Sequence, residues 1–120
     1  AVSRTAPNSK TTLVIALNYG SQAEIARAAR RLAEQVRDGV IESSDIDEQM
    51  MESAFDTAGL PPPDLLIRTS GEQRLSNFLM WQAAYAELMF VDTLWPDFGK
   101  AELAAAIEDY AVRERRFGGL

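Results

Sequence analysis

The sequence contains no cysteine and no histidine. Without cysteine the chain forms no disulfide and offers no thiolate as a nucleophile or as a ligand for an iron–sulfur cluster. Without histidine it lacks the usual general base near neutral pH and the commonest zinc ligand. Any chemistry must therefore use carboxylates, arginines, hydroxyl or backbone groups, or a hard cation such as magnesium.

Positive charge and long apolar runs are also scarce. The 12 Lys and Arg residues against 18 Asp and Glu residues give a net charge of −6, which argues against nucleic acid as a partner because its binders carry a basic face. A local pair of arginines can still bind a small diphosphate, since charges act at short range in salt. No apolar run approaches the roughly 20 residues that span a bilayer, and no signal peptide is visible, so we expect a cytoplasmic protein.

The order of apolar segments predicts an α/β fold. The chain has 120 residues, of which 47% are hydrophobic, enough for one small domain with a polar and flexible lead at residues 1–11. Continuous apolar runs at residues 13–17, 65–67 and 88–91 predict buried strands. With helices between them, these strands predict a mostly parallel sheet with flanking helices.

Four helices are predicted from caps and periodicity. Ser21 and Glu24 have the spacing of a capping box, and Gly39 is a suitable stop for the helix that they begin. Helical spacing predicts two more helices at residues 45–58 and 77–86. A final helix after residue 99 is predicted to bury three residues on one face, Leu103, Ile107 and Tyr110.

The stretch between the second and third strands has the layout of an anion site. Arg68 follows the apolar run, Arg74 lies six residues later, and Ser76 is placed to cap the helix at residues 77–86. Guanidinium groups bind phosphate oxygens in pairs, and a helix N-terminus adds free N–H groups. The alternative is that the arginines lie on the surface and pair with a carboxylate, for which Glu72 is available.

Residues 67–78, Ile-Arg-Thr-Ser-Gly-Glu-Gln-Arg-Leu-Ser-Asn-Phe, resemble the isopentenyl-diphosphate-binding signature of the cis-prenyltransferase family. Four further segments are similar to the undecaprenyl diphosphate synthases of that family, at residues 18–20, 81–88, 94–98 and 113–119. The resemblance covers nearly the whole chain from about residue 12. The sequence departs from the family pattern at Gln73, where many relatives carry histidine, and at Ser21 and Gln22, where many carry Gly-Arg.

The resemblance implies that residues 1–120 form a single partial domain, the C-terminal half of the cis-prenyltransferase fold. The first half of that fold supplies an Asp-Gly-Asn-Gly-Arg segment, whose aspartate holds magnesium and whose arginine binds the allylic diphosphate. That segment is absent from this sequence. No catalytic residue is therefore expected in this chain.

For substrate binding, the resemblance implies that Arg68, Arg74 and Ser76 hold the diphosphate of isopentenyl diphosphate. Glu72 either orients an arginine or neutralises surplus charge. Asn18, at the end of the first predicted strand, either lines the crevice or only closes the turn.

The resemblance also assigns roles to Glu87 and to the C-terminal tail. Glu87 matches a glutamate that helps to form the Mg²⁺ site, and its alternative role is that of a capping or ion-pairing carboxylate. Arg116 and Gly118 match a motif that reaches into the partner subunit's active site in a homodimer. The alternative is that the arginines near the C-terminus only complement the negative end of the last helix.

The implied activity is the condensation of isopentenyl diphosphate onto an allylic diphosphate such as farnesyl diphosphate, giving a polyprenyl diphosphate. Its lipid product implies peripheral association with a membrane. The alternative function is a non-catalytic diphosphate-binding or dimerisation module, such as an accessory subunit.

Overall fold

A computed structural model describes residues 2–113 of the chain. It contains four α-helices and two β-strands within that range, in the order α1 (Val2–Thr5), α2 (Ser21–Arg37), α3 (Glu48–Ser53), β1 (Leu65–Arg68), β2 (Glu87–Phe90) and α4 (Lys100–Ala111). Single 3₁₀ turns lie at Ser43–Asp45 and Trp95–Asp97.

The two strands form a parallel pair. Leu65 lies opposite Glu87, and Arg68 lies opposite Phe90. Leu66 and Met89 are buried, as is typical of short apolar strands in a parallel sheet. The predicted α/β class with parallel strands is therefore confirmed, and both strands lie within one residue of their predicted positions.

The first long helix does not begin with the predicted capping box. Gly20 is the N-cap of α2, and neither Ser21 nor Glu24 caps it. Both side chains are instead buried in contacts with later parts of the chain, at 0% and 1% exposure. The capping-box prediction is wrong because the side-chain oxygens of Ser21 and Glu24 accept hydrogen bonds from distant residues instead of from the first turn of the helix. The predicted stop is in place, since α2 ends at Arg37 and Gly39 has a φ of 70°.

The apolar core lies between α2 and α3. Its buried members are Ala28, Leu32, Ala54 and Phe55. Trp81 packs edge-to-face on Phe55, with ring centroids 5.4 Å apart and an interplanar angle of 70°, a favourable aromatic geometry.

The second predicted helix is shorter than the pattern at residues 45–58 indicates. It begins at Glu48 because Asp47 is the N-cap, its side chain accepting a hydrogen bond from the backbone N–H of Met50. It ends at Ser53, and turns follow up to Gly59, which has a φ of 81°.

The strand predicted at residues 13–17 is absent, and that prediction is wrong. Leu13 and Leu17 are 83% and 84% exposed, and no strand pairs with the run among the described residues. An apolar run becomes a strand only when a neighbouring strand satisfies its backbone groups. The predicted lead contains the one-turn helix α1, and residues 4–17 are exposed throughout.

The helix predicted at residues 77–86 is also absent. Ser76, Asn77 and Leu79 have left-handed backbone conformations, with φ of 49°, 61° and 46°. Separate turns replace the helix, for example a hydrogen bond of 2.8 Å from the N–H of Ala83 to the carbonyl of Leu79. Backbone groups of this segment bond to α2 instead, which competes with a helical ladder.

The last helix has the predicted start but not the predicted buried face. Gly99 is its N-cap, and Glu102 accepts a hydrogen bond of 2.8 Å from the Gly99 N–H. The buried residue of α4 is Ala106. Leu103 and Ile107 are 45% and 55% exposed, so their predicted burial is wrong, and Tyr110 is half-buried. Ala106 and Met89 of β2 line the same open cavity of about 250 Å³. Within residues 2–113, no helix combines the length and apolar character that crossing a bilayer requires.

Candidate anion-binding site

The loop after β1 is attached to the segment that follows β2. The carbonyl of Arg68 accepts a hydrogen bond of 2.9 Å from the N–H of Val91. The N–H of Ser70 bonds to the Thr93 carbonyl, and that of Gly71 bonds to the Val91 carbonyl, both at 2.9 Å. These bonds fix the loop at the carboxyl edge of the strands, where open α/β sheets bind their ligands.

The turn in this loop requires glycine at one position. Gly71 has a φ of 67°, and Ser70 before it has a φ of 69°. A Cβ atom on Gly71 would lie 3.2 Å from Oδ1 of Asp92. Asp92 is a carboxylate beside the loop that the sequence reasoning missed. Its position two residues after β2 could have identified it, because the carboxyl ends of parallel strands meet at one edge.

The two loop arginines have different surroundings. Arg68 is half-buried and forms no ion pair with any residue in the range 2–113. Arg74 pairs with Glu72, and its side chain is 66% exposed. The pairing that the sequence left open for Glu72 is thus present for Arg74 and absent for Arg68 in the described chain.

Ser76 is exposed and caps no helix, because the segment after it turns instead of forming one. The predicted layout of strand, arginine loop and helix N-terminus is therefore only partly correct. The strand and the loop with both arginines are present, whereas the helix N-terminus that was to supply free N–H groups is not.

Asn77 caps α2 from a distant part of the chain. Its carbonyl accepts a hydrogen bond of 2.8 Å from the N–H of Ser21, and its Oδ1 accepts one of 2.8 Å from the N–H of Gln22. Two N–H groups of the first helical turn, which lack partners within the helix, are thereby satisfied. The sequence reasoning missed this role, because Asn77 is 55 positions from Gln22 and no local spacing connects them.

A buried carboxylate joins the same elements a second time. Glu24 accepts hydrogen bonds from the Tyr19 hydroxyl at 2.5 Å, the Asp56 N–H at 2.9 Å and Gln82 Nε2 at 3.0 Å. Burial of the phenol, and then its hydrogen bond to Glu24, raise the pKa of Tyr19. The carboxylate therefore links α2, the turn after α3 and the segment between the strands.

Asn18 lies in a turn with a φ of 53° and is exposed. It lines an open cleft of about 1450 Å³, together with mainly apolar residues that include Phe78, Trp81 and Tyr85. Arg68, Arg74 and Ser76 do not line this cleft. The structure therefore places Asn18 beside an apolar space and not with the loop arginines.

Glu87 lies at the other end of the sheet from Arg68. It begins β2 opposite Leu65, three residues before the partner of Arg68, a distance of about 10 Å along a strand. Its carboxylate is 3.1 Å from Nη1 of Arg113. The ion-pairing alternative for Glu87 is thus realised in the structure.

Magnesium prefers several oxygen ligands. Among residues 2–113, no three carboxylate, histidine or cysteine side chains come together in a way that could hold a metal ion. The described residues alone do not fit a magnesium site, and Glu87 as a ligand stays a prediction. Arg116 and Gly118 lie outside the described residues, so their roles also stay predictions.

Comparison with known proteins identifies close sequence relatives. The sequence profile of a family described as "Putative undecaprenyl diphosphate synthase" matches residues 1–118. An isoprenyl transferase from Zymomonas mobilis subsp. mobilis is 58% identical over 120 residues, which are 100% of this chain and 48% of that protein. The chain spans about half the length of the relatives that it matches.

Two solved structures have a similar fold. One is lavandulyl diphosphate synthase from Lavandula x intermedia in complex with dimethylallyl diphosphate, with a TM-score of 0.82 and 45% identity. The match covers 85% of this chain and 44% of that one. The other is a probable undecaprenyl diphosphate synthase from Campylobacter jejuni, with a TM-score of 0.68 and 39% identity over 85% of this chain and 45% of that one.

Proposed function

The chain belongs to the undecaprenyl diphosphate synthase family, and we propose that residues 68–86, which we call the anion-binding loop, bind the diphosphate of isopentenyl diphosphate in a cis-prenyltransferase. One observation supports this most strongly. Arg68 is a half-buried cation at the carboxyl edge of the sheet, and no described carboxylate neutralises it. A permanent, planar guanidinium in that position suits a diphosphate that is bound and retained.

Arg74 and Ser76 complete the proposed site from the same loop. Arg74 exchanges its exposed pairing with Glu72 for the ligand, at small cost because exposed ion pairs contribute only about 0–1 kcal/mol. The exposed hydroxyl of Ser76 donates a hydrogen bond to a phosphate oxygen.

In the proposed reaction, isopentenyl diphosphate attacks the allylic carbon of a second diphosphate, such as farnesyl diphosphate. A carbon–carbon bond forms, the allylic carbon–oxygen bond breaks, diphosphate leaves, and loss of a proton gives a cis double bond. The contribution of this chain is to hold the attacking substrate with its double bond toward that carbon.

Several further properties belong to the proposal for the whole protein. These are Mg²⁺ as cofactor, a homodimer in which Arg116 and Gly118 reach the partner's site, and a cytoplasmic enzyme that associates with membranes through its lipid product. Trans-complementation tests the tail. An Arg116→Ala subunit mixed with an Arg68→Ala subunit should regain part of the activity, because one of the two sites then contains neither change.

The central test measures isopentenyl diphosphate kinetics in the full-length protein that contains this chain. Arg68→Ala should lower kcat/KM for isopentenyl diphosphate by about 10- to 100-fold, as expected for the loss of a charge-assisted contact. Arg68→Lys should restore little, because it lacks the planar fork. Arg30→Ala, an exposed arginine of α2, is the matched control and should behave as wild type. Normal kinetics of Arg68→Ala would refute the proposed site.

The second candidate, a non-catalytic diphosphate-binding or dimerisation module, is favoured by the apolar side chains that α4 exposes, Leu103 and Ile107. Pyrophosphate binding by calorimetry and turnover of radiolabelled isopentenyl diphosphate separate the two candidates. Binding without turnover in the full-length protein would support the module, whereas turnover supports the enzyme.

A further inference from the structure

We propose that Asn77 is a positioning residue that orients the anion-binding loop by locking it to the N-terminus of α2; this inference rests on the proposed function of that loop. Asn77 directly follows Ser76 in the chain and bonds to two successive N–H groups of α2, those of Ser21 and Gln22, both at 2.8 Å. These bonds join a ligand-binding segment to a 17-residue helix.

The segment depends on such contacts because it has no regular structure of its own. Ser76 and Asn77 both adopt left-handed conformations, and no helix or strand lies between β1 and β2. A second bond lies three residues after Asn77, where the N–H of Met80 donates to Ser21 Oγ at 3.0 Å. The N-terminus of α2 therefore holds the segment at two points, and the nearer one is next to Ser76.

The fit around Asn77 is close enough that a side chain at Gly20 would displace it. A Cβ atom on Gly20 would lie 2.9 Å from Nδ2 of Asn77. Gly20 itself has a φ of −149°, which any residue can adopt. Only contact with the Asn77 side chain therefore disfavours alanine at this position, so Gly20 and Asn77 should be coupled energetically.

Kinetics of Asn77 variants in the full-length protein test the inference. Asn77→Gly keeps the left-handed backbone but removes the side-chain acceptor. We expect its KM for isopentenyl diphosphate to rise about three- to tenfold, the equivalent of one lost hydrogen bond, with less than about a twofold change in kcat. Asn77→Asp keeps an acceptor and adds negative charge at a helix N-terminus, so it should restore a KM near wild type.

Asp47→Gly provides the matched control, because Asp47 is the N-cap of α3 and accepts from the Met50 N–H at 2.8 Å. It removes the same kind of cap at a helix whose hydrogen bond to the segment between the strands, from Trp81 Nε1 to Glu52 at 3.3 Å, lies at the opposite end from Asp47. We expect it to lower the thermal midpoint without changing either kinetic constant. The KM for the allylic substrate should stay unchanged in both glycine variants.

A double-mutant cycle tests the coupling directly. Gly20→Ala should raise the KM for isopentenyl diphosphate in the wild-type background and add little in the Asn77→Gly background, where the crowding atom is gone. If Asn77→Gly fails to fold, Gly20→Ala in the wild-type background decides alone, since a raised KM supports the positioning role and an unchanged KM overturns it. Additive effects, or an unchanged KM in Gly20→Ala and Asn77→Gly while Arg68→Ala is impaired, would overturn the positioning role. An unchanged KM in Arg68→Ala would instead overturn the proposed function itself.

Discussion

Gln82 donates a hydrogen bond from Nε2 to the Glu24 carboxylate at 3.0 Å, and this bond joins α2 to a segment 58 residues later in the chain. The same nitrogen donates to Thr57 Oγ1 at 3.0 Å. Oε1 of Gln82 is buried and has no hydrogen-bond partner among the described residues. The carboxylate only accepts, so it orients the amide and leaves that oxygen without a donor.

The loss of unfolding free energy on replacing Glu24 should therefore depend on whether the new side chain can still accept hydrogen bonds. Glu24→Ala removes the acceptor of three part-buried hydrogen bonds and should lower the free energy of unfolding by about 3 kcal/mol. Glu24→Gln should cost less, about 1 kcal/mol, because Gln82 can turn its amide so that Oε1 accepts from the new NH₂ group, and only Nε2 then takes the position without a partner. Chemical denaturation of the full-length protein measures both.

Glu34→Ala serves as the control for these two variants, since Glu34 lies on the same helix and is exposed. Its unfolding free energy should match that of wild type. Equal losses for Glu24→Ala and Glu24→Gln would show that the charge of Glu24, and not its geometry as an acceptor, stabilises this contact.

The strands and the long helices could be predicted because their signals are local. β1 and β2 are short apolar runs, and Gly39 ends α2 where its left-handed conformation is required. The location of Arg68 at the carboxyl end of β1 could be predicted because it directly follows the apolar run at residues 65–67. The apolar run at residues 13–17 carries the same signal as β1, but the sequence does not say whether a neighbouring strand is present to pair with it.

The segment between the strands could not be predicted because distant residues determine its shape. The helical spacing of Phe78, Trp81 and Tyr85 indicates a helix. Asn77 and Met80 instead form hydrogen bonds with the N-terminus of α2. The spacing of Ser21 and Glu24 misleads for the same reason. In both cases the prediction was wrong because these residues form contacts between α2 and the anion-binding loop.

Ionisation of Tyr19 should lower the free energy of unfolding at alkaline pH. Its raised pKa means that the fold favours the neutral phenol, so this contribution is fully present below the unfolded value of 10.0 and is lost as pH rises through the folded pKa. Tyr19→Phe should be less stable than wild type at pH 7 by about 1 kcal/mol, the value of one hydrogen bond. The difference should shrink above pH 10. Denaturant unfolding across this range tests the prediction, and a constant difference would contradict it.

Gly71 and Gly39 form a matched pair for testing the anion-binding loop. Their φ values are 67° and 70°, so alanine at either position should cost roughly 1 kcal/mol of unfolding free energy. Only alanine at Gly71 meets a neighbour, Oδ1 of Asp92 at 3.2 Å, whereas a Cβ at Gly39 meets nothing within 4 Å. We expect similar losses of stability but a raised KM for isopentenyl diphosphate only in Gly71→Ala. An equal KM in both variants would argue that the turn at Gly71 does not shape the site.

The pair of Glu87 and Arg113 makes the predicted metal role of Glu87 testable. Nη1 of Arg113 lies 3.1 Å from the Glu87 carboxylate, and Nη2 lies 2.7 Å from that of Asp109. Hydrogen bonds to Asp109 and then to Glu87 raise the pKa of Arg113. A carboxylate that also binds Mg²⁺ must be shared with, or released from, this guanidinium.

Magnesium titration of full-length variants distinguishes the two roles. If Glu87 binds Mg²⁺, Glu87→Gln should raise the magnesium concentration that gives half-maximal activity. Arg113→Ala should lower it by a factor of about 1.4 to 5, because a partly exposed pair contributes about 0.2–1 kcal/mol that no longer competes with the metal. Asp109→Asn removes the other partner of Arg113, and the guanidinium then pairs more fully with Glu87. The magnesium concentration for half-maximal activity should therefore be unchanged or slightly raised. Unchanged magnesium dependence in Glu87→Gln would reject the ligand role and leave the carboxylate as an ion-pair partner at the start of β2.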